Sequence, residues 1–410
     1  MIFGLVGKKL SHSFSPRIHK ELGGYDYLLF EKSEDELKDF IKNGEWDALN
    51  VTVPYKKTVY ELCDRIDKSA ERVGCVNTLT KRNGKICGYN TDVYGFCAAL
   101  SLSGVDVFGK SVAVLGSGGA SAAVCEALKE FGAEPFVISR TGKINYGTPE
   151  KYKDTDILVN ATPVGMYPDF SGVPVDIDVF SNLSAVFDVI YNPLKTRLLC
   201  AAKEKGIPVF SGMPMLYFQA ARSYEIFFDT KLSLSEDEIK KCIKKLEFDM
   251  ANIVLIGMPG CGKSETAKTL AKRLCRECID IDDEIAKRAD MSIPDIFSKY
   301  GEEYFRNIER EVTDEISQKS GVLISCGGGT PICSHNREKL MQNGIFVYLV
   351  RDTKDLAVDA RPLSIGAEAL EKIEKERAPV YEKLADFSVL VDDDVNITAE
   401  RIYKAFGDLI

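Results

Sequence analysis

The run IVLIGMPGCGKS, Ile253 to Ser264, decides the fold of the C-terminal part of the chain. Four branched apolar residues in succession read as a buried strand, and the glycines that follow break it. Gly257-x4-Gly262-Lys263-Ser264 is the spacing of a phosphate-binding loop set between a strand and a helix. There, backbone N–H groups at the helix N-terminus face an anion, the lysine reaches the outer phosphates and the serine hydroxyl reaches Mg²⁺. Gly260, Cys261, Gly262, Lys263, Ser264 and Glu265 are therefore the expected ATP-binding residues.

Two other strand-like runs end in the same way. Val112–Leu115 leads into Gly116-Ser-Gly-Gly-Ala-Ser121, and Val322–Ser325 leads to Gly327-Gly-Gly329. Short β-rich runs alternate with amphipathic helical patterns over most of the chain, which predicts α/β architecture with largely parallel sheets. Ser233–Glu247 has an acidic start and a basic end, as a helix dipole favours. The main domain boundary falls just after it, near Asp249, and a softer one falls between Ser101 and Gly109. The expected organisation is residues 1–104, completed by the helices of 211–248, then 105–248, then 249–410.

The 410 residues are 45% hydrophobic and 28% charged, and 53 basic against 62 acidic side chains leave a net charge of −9. That balance predicts a globular chain and excludes nucleic-acid binding through a global basic field. No apolar run approaches the ~18 residues of a membrane helix. The opening MIFGLVGKKLSHS lacks the features of a signal peptide, so a cytoplasmic protein with its 12 cysteines reduced is expected. Cys275 and Cys278 form a single C-x-x-C, a weak basis for a metal site. His12, His19 and His335 are too few for a His-rich one.

Gly116, Ser117, Gly118, Gly119 and Ala120 form a variant of the dinucleotide turn. The next strand ends at Ser139-Arg140-Thr141-Gly142-Lys143, with Arg140 24 residues after Gly116. An acidic residue there would hold the ribose hydroxyls of NAD, whereas a basic one suits the 2′-phosphate of NADP. Ser139, Arg140 and Thr141 are thus read as NADP contacts, with Lys143 as a helper. A solvated surface pair at a strand end is the alternative.

Ser11-His-Ser13-Phe-Ser15-Pro16, Asn50-Val-Thr52-Val-Pro54-Tyr-Lys56, Gly74-Cys-Val-Asn77-Thr and Asn90-Thr91-Asp92 follow one another in the first hundred residues. Asn160-Ala-Thr162-Pro-Val-Gly-Met166, Asp188-Val-Ile-Tyr191-Asn-Pro193 and Gly212-Met-Pro-Met-Leu-Tyr-Phe-Gln219 come later. In this order they resemble the shikimate dehydrogenase family over residues 1–247. The resemblance implies a substrate-binding domain followed by a Rossmann NADP domain, reducing 3-dehydroshikimate to shikimate with NADPH. It implies Lys56 and Asp92 as the catalytic pair, and Ser13, Ser15, Thr52, Asn77, Asp92, Tyr191 and Gln219 as substrate contacts. Gly212 is placed at the cofactor. The chemistry agrees, because a carbonyl that receives a hydride needs a proton donor at its oxygen. Two positions depart from the family: Ser139 stands where an asparagine is usual, and Ile144 near where a second arginine is usual.

In the C-terminal part, Ile279-Asp280-Ile-Asp282, Ile296-Phe-x3-Gly301-Glu-x2-Phe305-Arg306-x2-Glu309, Gly327–Gly329, Arg361-Pro-Leu and Arg377-x3-Tyr381 are similar to shikimate kinase over residues 251–408. This implies a P-loop fold of the nucleoside-monophosphate-kinase type. Ser264 and Asp280 would serve Mg²⁺ and Asp282 the ring hydroxyls. Arg306 and Arg377 would take the substrate carboxylate, Gly328 would approach the substrate, and Arg361 would face the nucleotide. The segment between Leu349 and Arg361 is shorter than the family's lid, and Asp355–Ala360 carries no Lys or Arg. Together the two resemblances imply a bifunctional enzyme using NADPH, ATP and Mg²⁺ on small-molecule substrates, with no nucleic-acid or membrane partner and a monomeric or homodimeric state. An NAD-dependent quinate/shikimate dehydrogenase fused to the same kinase, and a non-catalytic sensor that keeps both folds, are the alternatives.

Overall fold

The computed structural model of the chain describes residues 1–10, 13–352 and 367–407, with the backbone alone at 367–371. It divides into two compact units, Met1–Tyr191 with Thr196–Ile239, and Asn192–Lys195 with Lys240–Ile410.

The first unit holds two sheets. Strands β1 (Phe3–Gly7), β2 (Tyr27–Glu31), β3 (Ala48–Val51), β4 (Arg65–Ile66), β5 (Thr78–Arg82) and β6 (Lys85–Tyr89) form one, in the order β2-β1-β3-β5-β6-β4. It is mixed rather than parallel, since β5 runs antiparallel to both β3 and β6. The reason is local. Asn83 and Gly84 take φ of 51° and 71°, and two adjacent left-handed residues make the tight hairpin turn that Asn-Gly favours.

The second sheet is parallel throughout: β7 (Ser111–Leu115), β8 (Glu134–Ile138), β9 (Ile157–Asn160), β10 (Ala185–Asp188) and β11 (Val209–Phe210), ordered β11-β10-β9-β7-β8. Alternation along β7 sends Val112 and Val114 to a core with Ala123, Val124 and Ala127 of the helix Gly119–Glu130. Ala113 and Leu115 face the other core, with Leu158, Val186 and Leu198. Burial on both faces explains why β7 carries no polar residue after Ser111.

The second unit is built on β12 (Asn252–Gly257), β13 (Cys278–Asp280), β14 (Leu323–Ser325), β15 (Gly344–Val350) and β16 (Phe387–Leu390). They are parallel and ordered β13-β14-β12-β15-β16. Central β12 is buried along its whole length. The helix foreseen over Ser233–Glu247 runs from Glu236 to Met250. Ser235 and Glu238 exchange hydrogen bonds at its start, a capping box that moves the boundary inward. Among the described residues no helix is long and apolar enough to cross a membrane.

Beneath the first sheet, His19 is fully buried, stacked on Tyr27 at 4.0 Å between ring centroids, with Nδ1 on the Tyr25 hydroxyl. Burial pushes the imidazole down to about 3 from its ordinary 6.5. Between these values the unfolded chain binds a proton that the folded chain refuses, so stability falls as pH drops below 6.5, by about 1.4 kcal/mol per pH unit. Denaturant unfolding of the first unit should therefore lose about 2 kcal/mol between pH 7 and pH 5 through this residue. His19→Phe, which cannot titrate, should show a correspondingly smaller loss. An equal loss in the two proteins would contradict the assignment.

Candidate functional site

In the first unit, Lys56 opens the helix Lys56–Leu62 and Asp92 opens the helix Asp92–Ser103. Lys56 Nζ donates to Asp92 Oδ2 at 2.5 Å, and Asn77 Nδ2 donates to Oδ1 at 2.8 Å. The Asp92 amide donates to Asn90 Oδ1 at 2.9 Å. Both carboxylate oxygens are thus engaged at the positive end of a helix, which suits a fixed anion. The lysine retains donor capacity beyond this bond and is the more open partner, 19% against 8% exposed. Such a pair can offer a proton to an oxygen brought against Nζ.

Gln219, on the helix Met213–Phe228, joins this cluster through Thr91 Oγ1 at 3.4 Å. Ser13 Oγ accepts from the Ser15 amide at 3.3 Å, and Phe14 between them meets Tyr191 edge-on at 6.3 Å. Ser13, Ser15 and Tyr191 thereby form a second group; Ser11 and His12 lie outside the described residues. Thr52 uses its backbone, donating to Val6 O and accepting from Tyr55 N, both at 3.0 Å, to set the turn into Lys56.

The dinucleotide turn stands beside the pair. Gly116 has φ of 103°, and a Cβ there would lie 3.1 Å from Ala161 O. Gly118 caps the helix Gly119–Glu130 without a side-chain bond and has open space around it, so the first N–H groups remain available to an anion. A Cβ on Gly119 would lie 3.1 Å from Cys75 Sγ and 4.0 Å from Lys56 Cδ. Ser117 is exposed and Ala120 half-buried. Ser139 is buried under the loop that follows β8, where a Cβ on Gly142 would come within 2.7 Å of its Oγ. Arg140, Thr141 and Lys143 are exposed there.

Gly212 has a structural demand of its own. Its amide donates to Ile190 O at 2.9 Å, and a Cβ would fall 2.1 Å from Val189 O. Asp188 has no role that the sequence alone assigns. Buried at the end of β10, it accepts from Asn160 Nδ2 at 3.1 Å, Ile190 N at 3.0 Å and Thr196 Oγ1 at 2.7 Å. It thereby ties together the loops after β9 and β10. Burial raises its carboxyl to about 7 despite these donors.

In the second unit, Gly260 and Gly262 take φ of 80° and 92°, which only glycine adopts without strain. Lys263 Nζ is folded onto the loop, donating to Gly257 O at 3.0 Å and Met258 O at 2.9 Å. Cys261 is buried, while Glu265 pairs with Lys268 at the surface. Ser264 Oγ donates to Asp280 Oδ2 at 2.6 Å, and Asp280 Oδ1 accepts from the Asp282 amide at 3.0 Å. A cavity of about 210 Å³ opens here, walled by Gly262, Lys263, Ser264, Asp282 and Cys326 among others.

The triple glycine is where the substrate-site side chains meet. A Cβ on Gly327 would lie 2.5 Å from Asp282 Oδ1, one on Gly328 3.0 Å from Arg377 Nη1, and one on Gly329 2.7 Å from Arg306 Nη1. Tyr381 donates its hydroxyl to Gly328 O at 2.5 Å. Arg306 bonds Glu309 at 2.9 Å and Glu302 at 3.1 Å. Burial works against the Arg306 charge, and the two carboxylates more than offset it. Glu309, to which the sequence alone assigns no role, is buried and also accepts from Thr330 Oγ1 at 2.8 Å. Its signal was the helical spacing Arg306-x2-Glu309, which puts both on one face. Arg361 and the lid tip, Asp355–Ala360, lie outside the described residues.

Known families match both units. The family model for the shikimate dehydrogenase substrate binding domain matches residues 5–79. Over 267 residues the chain is 37% identical to shikimate dehydrogenase (NADP(+)) of Clostridium beijerinckii, covering 58% of this chain and 99% of that one. The chain belongs to the shikimate dehydrogenase family. Shikimate dehydrogenase 1 from Peptoclostridium difficile superposes with a TM-score of 0.56 at 36% identity, over 60% of this chain and 97% of that one. The Thermus thermophilus enzyme in complex with NADP(H) and shikimate gives 0.54 at 31% identity, over 60% and 99%. The shikimate kinase family model matches residues 259–406, so a shikimate dehydrogenase region is joined to a shikimate kinase region.

Because Gly212 has no room for a side chain, Gly212→Ala must separate the helix Met213–Phe228 from the end of β10. Thermal unfolding should show a destabilisation of about 1–3 kcal/mol, the usual cost of overpacking. A midpoint equal to that of the native chain would show that the approach is relaxed in solution.

Proposed function

We propose that the chain carries out two consecutive steps toward aromatic compounds: NADPH-dependent reduction of 3-dehydroshikimate to shikimate, then ATP- and Mg²⁺-dependent phosphorylation of shikimate to 3-phosphoshikimate. The observation that carries this reading is the Lys56–Asp92 pair, with both carboxylate oxygens engaged, next to the open glycine turn at Gly118–Gly119.

In the first unit, Gly116–Ala120 fit a pyrophosphate, because the turn presents free N–H groups and open space. Ser139, Arg140 and Thr141, with Lys143, hold the 2′-phosphate side, and Gly212 shapes the crevice wall. NADPH, when bound, supplies the hydride. Lys56 gives a proton from Nζ to the ketone oxygen as it becomes the alcohol, and takes it back in the reverse direction. Asp92 holds Nζ in place. Ser13, Ser15, Thr52, Asn77, Tyr191 and Gln219 satisfy the ring hydroxyls and carboxylate, a polar lining that rejects analogues lacking those groups.

In the second unit, the hydroxyl of Ser264 and the carboxylate of Asp280 are hard oxygen donors suited to Mg²⁺. ATP and Mg²⁺, when bound, supply the phosphoryl group and its countercharge. Gly260–Glu265 cradle the phosphates, and Lys263 is the cation placed over them. Asp282 orients the attacking hydroxyl, while Arg306 and Arg377 fork the substrate carboxylate against the wall of Gly328. Arg361 belongs to the nucleotide side. Soluble nucleotides and small acids as reactants make the cytoplasm the setting, with the chain monomeric or homodimeric.

Lys56→Ala should lower kcat for dehydroshikimate reduction by about 10²–10⁴-fold and leave phosphoryl transfer intact. Lys263→Ala should do the converse. Loss of both activities in either variant, with folding retained by circular dichroism, would contradict two separate sites.

Arg140→Ala should raise KM for NADPH and leave turnover with NADH unchanged. Equal kcat/KM for the two cofactors in the native chain would instead favour the NAD-dependent reading, toward which Ser139 and Ile144 lean.

A further inference from the structure

Behind Asp92 lies a chain of buried polar side chains of which the reduction chemistry described above gives a task to Asn77 alone. Tyr27, Asn50, Thr78 and Asn77 are all buried. Tyr27 donates its hydroxyl to Asn50 Oδ1 at 2.7 Å, and Asn50 Nδ2 donates to Thr78 Oγ1 at 3.0 Å. Thr78 Oγ1 donates to Asn77 Oδ1 at 3.0 Å, and Asn77 Nδ2 donates to Asp92 Oδ1 at 2.8 Å.

Backbone groups fix which way both carboxamides point. Asn50 Nδ2 also faces the carbonyl of Asn77 at 3.2 Å, and Asn77 Oδ1 also faces the N–H of Thr91 at 2.8 Å. A carbonyl cannot donate and an amide N–H cannot accept, so neither side chain can be turned over. Thr78 receives a hydrogen from Asn50 and must pass its own onward. Two hydroxyls are also near it: Ser223 Oγ at 3.0 Å, which accepts from Asn50 at 2.8 Å and sends its hydrogen to Gln219 O at 2.9 Å, and Thr91 Oγ1 at the longer 3.4 Å. The carboxamide oxygen of Asn77 is the stronger acceptor left. Four donors therefore run one way, from Tyr27 to the carboxylate. A chain of that polarity strengthens each successive bond and ends on a group that can only accept.

We infer that Thr78 is a positioning residue of the dehydrogenase, the centre of a one-way hydrogen-bond relay from Tyr27 that fixes Asn77 and holds Asp92 as the acceptor for Lys56. This rests on the reading of Lys56 and Asp92 as the reacting pair. Thr78 touches neither, and acts only through Asn77. The titratable groups along the relay are Tyr27 and Asp92, with Lys56 at its far end and neutral His19 stacked behind Tyr27.

The test is steady-state turnover of dehydroshikimate by the full chain, with protiated and with 4-deuterated NADPH. Thr78→Val keeps the shape and removes the hydroxyl. It should lower kcat by about tenfold, the scale of one buried hydrogen bond felt at the transition state, and raise the isotope effect on kcat as chemistry becomes slower. KM for NADPH should stay within twofold. Thr78→Ser should restore kcat, because it restores the donor. Tyr27→Phe, which alters only the distant end, should give a smaller loss of the same kind and remains informative if Thr78→Val does not fold. Native kcat and isotope effect in both Thr78→Val and Tyr27→Phe would overturn the relay, as would a loss in Thr78→Val that Thr78→Ser does not repair. Absence of turnover in the native chain itself would overturn the dehydrogenase reading, and the relay with it.

Discussion

Helix N-termini left without a side-chain cap are the constraint on which both candidate sites depend. In the helices that begin at Ser15, Lys56, Asp92, Gly119, Met213 and Lys263 the cap residue itself makes no side-chain hydrogen bond to the first turn. Five of them begin at a residue of the sites described above, and the sixth, at Met213, follows directly on Gly212. The helices capped by Ser33, Asp67, Thr196, Ser292 and Asp394 begin away from the reacting groups. An uncapped first turn leaves several N–H groups with no partner and a positive end to the dipole. Sequence normally fills it with Ser, Thr, Asp or Asn. Here glycine or a residue without such a bond stands there instead, and the turn at Lys263 opens on the cavity of the second unit. The helix Ser334–Met341 is uncapped without belonging to either site. The helix Ile281–Ala289 is the instructive exception: its cap, Asp280, spends one oxygen on the turn and the other on Ser264.

The two units place their substrate groups by different means. In the first, charge and hydrogen bonding do it. Asp92 is fixed by Lys56 and Asn77, and Asn77 by Thr78 and Thr91, so orientation is inherited from polar neighbours that are themselves buried. In the second, missing side chains do it. Gly327, Gly328 and Gly329 each leave the space that Asp282, Arg377 and Arg306 occupy. Arg306 is then held from behind by Glu309, whose second oxygen is taken by Thr330. A buried carboxylate with one arginine and one hydroxyl is well satisfied, while the more exposed Glu302 takes the other edge of the guanidinium.

Where the signal is local, the sequence could be read directly. Strand–glycine–helix at 112–121 and at 253–264 is legible because tight turns and phosphate contact demand glycine at set positions, and both turns lie where the pattern puts them. The hairpin Arg82-Asn83-Gly84-Lys85 was equally local, yet the expectation of parallel sheets passed over it and missed the reversal at β5. Lys56, Asp92, Asn77, Asp282, Arg306 and Arg377 entered through resemblance, since nothing in their spacing says that 36 residues separate partners in one ion pair. Asp188, Glu309 and Thr78 carried no legible role, because their partners come from distant segments or from backbone groups that only the folded chain brings near. His19 shows the same limit. A lone histidine on an amphipathic helix gives no hint that three aromatic rings will hold it neutral.

The central claim is that one chain holds two sites whose chemistries are consecutive, with the alcohol made at the first serving as the nucleophile at the second. The most direct measurement is a mass balance by ³¹P and ¹³C NMR on the native chain supplied with 3-dehydroshikimate. The account predicts that a phosphorylated sugar-acid product appears only when NADPH, ATP and Mg²⁺ are all present, with one NADPH and one ATP consumed per product formed. Formation of a phosphorylated product without NADPH, or full reduction with no phosphorylation in the presence of ATP and Mg²⁺, would contradict it.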